Sequence, residues 1–256
     1  MARQLATLSS TNTPAGTMRE TLSFAAYLEN RLRDDAPKLK GERTRARLKI
    51  AAANVLGEKG YHAMRVSDVT ERAGVAEGSF YVYFDDKKEI SLTVLSALLE
   101  DFFKLSAPPE TARSPFDSIR ASNRRWIALC RANAGLMRCI FQLGDEEPDF
   151  SRLVQRTNRE WYGRVSRSVL RRHKDLAQET ALLAIYFLGA MMDEVVRKLV
   201  VYPDPEFIKV IKSMRANDDA VADAASIIWL RILDAGMMPP DDLPPTAAKL
   251  AKIMWV

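Results

Sequence analysis

The chain has 256 residues, 47% of them apolar, with 38 lysines and arginines against 33 aspartates and glutamates and a formal charge of +5. That length and composition suffice for two small domains or one medium one with a substantial core, and they exclude disorder throughout. No stretch reaches the roughly 20 apolar residues that span a bilayer, the longest being Ala181 to Met192, and the two cysteines, Cys130 and Cys139, sit in apolar company, as buried packing in a reducing cytosol would.

Residues 1–17 are rich in Ser and Thr, with Pro14 and Gly16, and read as a mobile tail. They lack the apolar core of a secretory signal, so the expected location is cytoplasmic. Residues 18–34 carry Leu22, Phe24, Ala25, Tyr27, Leu28 and Leu32, a short helix with an imperfect apolar face, set off by Pro37 and Gly41. This extension, residues 1–42, reads either as a partly disordered arm or as a segment that docks on its own core or on DNA. Lys38, Lys40, Arg43, Arg45, Arg47 and Lys49 then form a basic cluster. A helix over about 43–59 places Leu48, Ala51, Ala52, Val55 and Leu56 on one face and stops at Gly60.

Residues 66–84 read as two short helices pinned across a three-residue turn, Ala73-Gly74-Val75, in which glycine can take positive φ and valine supplies an apolar anchor. The second helix, about 77–83, opens with Glu77, Gly78 and Ser79, small or polar residues able to approach base edges. Tyr81 and Tyr83 offer hydroxyls to phosphate oxygens, and Lys87 and Lys88 follow with cationic charge. Leu48, Ala51, Ala52, Leu56, Glu58, Gly60-Tyr61, Val66, Asp68-Val69, Arg72-Ala73-Gly74-Val75, Gly78, Phe80-Tyr81, Tyr83-Phe84 and Lys87 together make a joint spacing over three helices. With that spacing the stretch from about Arg45 to Ile90 resembles the amino-terminal DNA-binding domain of the tetracycline-repressor (TetR) family.

The resemblance implies a homodimeric repressor whose DNA-binding domain occupies 43–90 and whose larger carboxy-terminal domain binds a small effector. Two departures from the family pattern stand out. Met64-Arg65 and Ala76 occupy positions where Ser or Thr commonly caps a helix, so Ser67 or Asp68 is expected to cap a helix that begins a little later, and Arg65 to make a charged phosphate contact. Glu77 stands where lysine is frequent; it can accept from the exocyclic amine of cytosine and is read as a specificity residue. The expected DNA contacts are Arg45, Arg65, Glu77, Gly78, Ser79, Tyr81, Tyr83 and Lys87.

The next helix, about 87–105, carries Ile90, Val94, Leu95, Leu98, Leu99, Phe102 and Phe103, and by the resemblance it connects the two domains. Ala107-Pro108-Pro109 and Ser114-Pro115 mark a loop. From Phe116 onward Ile119, Trp126, Ile127, Cys130, Leu136, Met137, Ile140 and Phe141 form an apolar series broken near Gly135 and closed by Gly144 and Pro148. A helix over about 149–173 follows, with Arg152, Arg156, Arg159, Arg164, Arg167 and Arg171 on its solvated faces. Asn123 and Asn158 interrupt apolar stripes. Each reads either as a satisfied structural amide or as a polar anchor in an effector pocket lined by Trp126, Phe141, Trp161, Tyr162, Tyr186 and Phe187, which suits an apolar or aromatic ligand. Helices over 176–201 and 219–235 are apolar nearly all round and suit a two-fold four-helix dimer interface closing an effector and dimerisation domain over 91–238. Residues 239–256 read as a linker and an apolar tail packing back onto a neighbour.

Enzyme readings find no purchase. His62 and His173 are the only histidines, and no metal-ligand spacing, phosphate loop, serine elbow or dyad is present, so no catalytic residue, metal or cofactor is expected. A thiol sensor built on Cys130 and Cys139 and a helical interaction protein with a degenerate DNA-binding motif are the alternatives. The reading is an all-α, two-domain, homodimeric regulator that binds a roughly palindromic double-stranded operator and is released by a small molecule.

Overall fold

The computed structural model describes residues 22–105 and 114–255, apart from the side chains of 102–105. The expectations for residues 1–17, for Ala107-Pro108-Pro109 and for the Phe102 and Phe103 side chains lie outside the described residues. Among those that are described, every regular element is a helix, and no helix is long and apolar enough to cross a membrane.

Helix α1 (Phe24–Asp34) is capped by Ser23, whose hydroxyl accepts from the Ala26 N–H at 3.4 Å. It buries Phe24 and Ala25 and packs on α2 (Lys40–Ala63), so the described part of the extension docks on its own core. The buried Asn133 side chain fixes its start: Oδ1 accepts from the Phe24 N–H at 2.8 Å, and Nδ2 donates to the Leu22 and Leu129 carbonyls at 2.9 and 2.8 Å. Within α2, Gly60 takes φ 78 and ψ 169, breaking the helix where the sequence stops it, and one further turn runs on to Ala63.

Helices α3 (Val66–Ala73) and α4 (Glu77–Phe80) follow, and α5 (Lys87–Leu105) leads out of this unit into the rest of the chain. The remainder comprises α6 (Pro115–Ala132), α7 (Ala134–Glu146), α8 (Pro148–Arg172), α9 (Gln178–Val196) with a π turn over Arg197–Val201, α10 (Pro205–Ser213), α11 (Asp218–Leu233) and α12 (Pro245–Met254). Ser114 and Asn217 cap α6 and α11 through the Asp117 and Ala220 N–H groups, at 3.0 and 2.9 Å. The break in the apolar series falls at Asn133, between α6 and α7, and Gly135 lies just inside α7. Gly135 has a packing role, because a Cβ there would stand 1.9 Å from the Gly57 carbonyl oxygen of α2. Backbone meets backbone where α7 crosses α2.

Helix α11 is the centre of the bundle, packed on α6, α9 and α12. Its Asp223 is fully buried and receives Arg120 at 3.0 Å and Arg124 at 2.5 Å, both from α6, while Arg131 grips Asp218 through two bonds of 2.8 and 2.7 Å. The apolar faces of α11 are therefore largely covered within the chain, with Ile232 the exposed exception at 50%. Helix α12 lays Ala247 and Ala251 against Ile227 and Leu230, and the Trp255 indole N–H donates to the Met237 carbonyl at 3.0 Å. The expected tail is thus a helix docked on α11. Helix α9 differs, for Leu183, Tyr186 and Phe187 leave it 55, 45 and 67% exposed.

Candidate functional site

The turn between α3 and α4 is made by Gly74 at φ 63 and ψ 44, a left-handed conformation that glycine adopts without a Cβ penalty. The Gly74 and Val75 N–H groups bond back to the Glu71 and Thr70 carbonyls, both at 3.1 Å, and Arg47 of α2 donates to the Ala73 carbonyl at 2.5 Å. Helix α3 begins at Val66 with Arg65 as its cap position, not later; Asp68 accepts from the Arg65 N–H at 2.9 Å, so the missing Ser or Thr cap is replaced from inside the first turn. Asp68 also holds Lys59 at 2.7 Å, and the amine together with the Arg65 N–H keeps its carboxyl below the usual range. Phe80 and Phe84 bury completely against the α2 and α3 cores, which turns the other side of α4 outward. Only Glu77–Phe80 is α-helix; a turn continues through Tyr83, whose N–H reaches the Phe80 carbonyl at 2.9 Å.

Glu77, Gly78, Tyr81 and Val82 are exposed on this surface, Val82 by 74%, and Ser79 and Tyr83 are half-buried. The exposed Arg45 guanidinium lies 5.1 Å from the Phe84 ring centroid, and Arg65 is exposed at the head of α3. Lys87 has a different place from the one expected. Its ammonium donates to the Tyr61, His62 and Met64 carbonyls at 3.3, 3.2 and 3.2 Å and stands 4.9 Å from the Tyr61 ring centroid. Those bonds occupy all three of its donors on the end of α2, so Lys87 is a helix-terminating contact rather than a hand held out to phosphate.

A second site lies between α6, α8 and α9. A cavity of about 50 Å³ is bounded by Asn123, Trp126, Asn158, Trp161, Tyr162 and Asp193, with Ser122, Gly189 and Met192 completing it. Gly189 lets the Tyr162 ring lie flat on α9, since a Cβ there would come within 2.6 Å of the phenol. Asn123 donates to the Ser226 hydroxyl at 3.0 Å, which in turn donates to the Ala222 carbonyl at 2.7 Å. A neighbouring cavity of about 330 Å³ shares Ser122, Asn123 and Trp161 and extends past Trp229 towards Arg164, Arg171 and Arg172. The Trp229 indole N–H and the Ser166 hydroxyl are buried without a hydrogen-bond partner among the described residues. Burial pushes the Asp193 carboxyl up to about 6, and burial with the charge of Asp193 pushes the Tyr162 phenol up to about 12.

Residues 50–94, which contain the turn and its packing, match the family model for bacterial regulatory proteins of the tetR family. This stretch is a DNA-binding unit of the TetR type. The transcriptional activator FasR of Mycolicibacterium smegmatis is 38% identical over 108 residues, 41% of this chain and 48% of that protein. The transcriptional repressor KstR2 of Rhodococcus jostii is 36% identical over 70 residues, 27% of this chain and 33% of that one. Matches to curated relatives thus span under half of those relatives' own length, from 28 to 48% for three of them. A solved transcriptional regulator from a Rhodococcus species shares the fold with a TM-score of 0.58 at 18% identity, covering 76% of this chain and 99% of that one. FasR and KstR2 are both transcriptional regulators, and the likeness to each covers less than half of this chain.

Within this TetR-type unit the exposed α4 surface gathers Glu77, Gly78 and Tyr81, flanked by Arg45 and Arg65, with Tyr83 set back so that its hydroxyl would lie 3.4 Å from a Cβ at Gly41. The effector reading is partly redistributed. Asn123, Trp126, Asn158, Trp161 and Tyr162 line one cavity, whereas Phe141, Tyr186 and Phe187 do not. Phe141 sits half-buried on α7. On α9 the inward face carries Gly189, Met192 and Asp193, which turns Phe187 to the opposite side and leaves Tyr186 tilted against Tyr162, with ring centroids 4.5 Å apart. Asp193 escaped the sequence reading although the signal was there, a lone carboxylate following the apolar run that ends at Met192. Cys130 and Cys139 are both fully buried, and burial raises both thiols, the reverse of the exposed, electropositive setting a thiol sensor needs.

Proposed function

We propose that this protein is a homodimeric DNA-binding transcriptional regulator, a repressor released from a palindromic operator by a small, largely apolar or aromatic effector. The observation that carries the reading is the exposed α4 surface, held from behind by Phe80, Phe84 and the Arg47 bond to Ala73, with Glu77, Gly78, Tyr81 and Val82 exposed among the described residues. Glu77 is suited to accept from a cytosine amine, Val82 to pack on a thymine methyl, and Tyr81, Arg45 and Arg65 to meet phosphates. The exposed Leu183, Tyr186 and Phe187 on α9 support a second copy as the partner that covers them. The cavity between α6, α8 and α9 is the effector site in this reading, and it acts by favouring a dimer geometry whose recognition helices are wrongly spaced for the operator.

In vitro selection of DNA by the full-length protein tests the proposal. The expected winner is a palindrome bound by two protomers, whose half-site preference relaxes at one position in Glu77→Ala. A pool with no enriched sequence at low ionic strength contradicts it.

A further inference from the structure

The cavity between α6, α8 and α9 contains a charge that the protein leaves unanswered. Asp193 borders the cavity, and no side chain or backbone donor among the described residues bonds its carboxylate. The groups that feel its charge are the Cys130 thiol and the Tyr162 phenol, both protonated at neutral pH. Asp193 itself is half-buried, and the more deeply buried carboxylates Asp223 and Asp234 are met by cations: Asp223 by Arg120 and Arg124, and Asp234 by Arg172 at 3.0 Å and His173 at 2.7 Å. Asp193 is met by space.

The walls of that space are aromatic. Trp126, Trp161 and Tyr162 bound it, and ring faces attract cations through their quadrupoles. Asn158 adds an amide with no hydrogen-bond partner among the described residues, whose carbonyl can accept from an N–H. The next cavity is larger, at about 330 Å³, and shares Trp161 and Asn123, so a head group in the small chamber can carry an apolar body into the large one. There the unpartnered Trp229 N–H offers a donor. Of the arginines towards which the larger chamber opens, Arg172 is already paired with Asp234, and Arg171 is exposed to solvent.

We infer that the effector of this protein is an organic cation, an amine or ammonium set against Asp193 and enclosed by Trp126, Trp161 and Tyr162, with an apolar body extending past Asn123 towards Trp229. The inference rests on the reading of this cavity as the effector site and narrows it from apolar or aromatic ligands in general to positively charged ones. Burial pushes the Asp193 carboxyl up to about 6, which still leaves it ionised at pH 7.5 and able to meet a cation without first losing a proton.

The test measures binding to the full-length protein by calorimetry and tryptophan fluorescence, with 2-phenylethylamine, 4-phenylbutylamine and tryptamine as probes. The matched controls are 2-phenylethanol, 4-phenylbutanol and 4-phenylbutyrate. The amines are expected to bind at least tenfold tighter than the alcohols and the carboxylate. Asp193→Asn should weaken the amines about tenfold or more while leaving the alcohols within twofold. The unfolding midpoint of that variant, unchanged or raised, would establish that it folds. Carboxylate or alcohol binding as tight as amine binding, or amine affinity unchanged in Asp193→Asn, overturns the inference and leaves the effector cavity standing. No binding by any of the three series overturns both.

Discussion

The reading unit, α2 to α4, and the helical bundle behind it place their charges in opposite ways. In the reading unit the ion pairs are outside: Glu58 holds Arg72 through bonds of 2.7 and 2.8 Å, Lys59 holds Asp68, and the interior is Leu48, Leu56, Val69, Phe80 and Phe84 with no carboxylate among them. In the bundle the carboxylates go inside. Asp223 and Asp234 are buried with arginines, and Asp193 borders a chamber without one. A unit whose interior is built on apolar side chains presents a fixed surface, which is what a DNA reader needs. A bundle with space and unanswered polar groups has interactions to gain when something enters it, and only such differential interactions can shift its geometry.

Substitutions that exchange these two characters should have graded effects. The largest is expected for Asp223→Ala, which strands Arg120 and Arg124 against the core; losing one side of a buried pair costs about 3–5 kcal/mol, read as the shift in chemical unfolding. Next comes Gly135→Ala at the crossing of α7 and α2, where the added Cβ meets the Gly57 carbonyl oxygen at 1.9 Å and the neighbour is backbone that cannot rotate away. Overpacking of this kind costs about 1–3 kcal/mol, and because the contact joins the reader to the bundle, operator affinity should change along with stability. Lys87→Met separates structure from DNA contact: it should lower stability by about 1 kcal/mol through the lost carbonyl bonds while leaving the salt dependence of operator binding unchanged. A reduced salt slope in that variant would return Lys87 to the phosphates.

A further effect depends on pH. Asp193 has a folded-state value of about 6 against 3.8 in the unfolded chain, so the folded protein takes up the proton first and the stability linked to this group grows as pH falls from above 6 towards 3.8. At pH 8 the ionised carboxylate bears its desolvation cost, and Asp193→Asn should be more stable than the parent by on the order of 2 kcal/mol. That advantage should shrink as pH falls through 6. Comparing the two proteins at each pH removes the contrary contribution of Glu58, Asp68 and Glu194, whose carboxyls cationic partners hold low.

The fold was readable wherever a local rule decided it. Gly74 needed positive φ, Gly60 ended α2, and the repeat of Ile90, Val94 and Leu98 carried α5. What a residue does at long range was less legible. Lys87 looked like a phosphate contact because its partners, the carbonyls at the end of α2, lie more than 20 positions earlier. Asn133 drew no attention, although two of its hydrogen bonds, to Phe24 and Leu22, fasten the start of α1 to the bundle. Helix α11 reads as apolar on every side, which fits an interface between copies as well as it fits cover by α6 and the carboxy-terminal helix of the same chain. Aromatic and amide residues at helical spacing pointed to a pocket, and Trp126, Trp161 and Tyr162 do line one. Periodicity alone did not mark which face of α9 turns inward, and so Tyr186 and Phe187 were placed there in the stead of Asp193.

The measurement that bears most directly on the account is the affinity of the selected DNA fragment as a function of salt, compared between the parent protein and Arg65→Gln. The account expects steep salt dependence, with a slope reduced by about 0.9 for each phosphate contact removed, and therefore by about twice that in a dimer carrying one such contact per protomer. Binding whose slope is unchanged in Arg65→Gln, Arg45→Gln and Tyr81→Phe alike would show that the α4 surface does not face DNA.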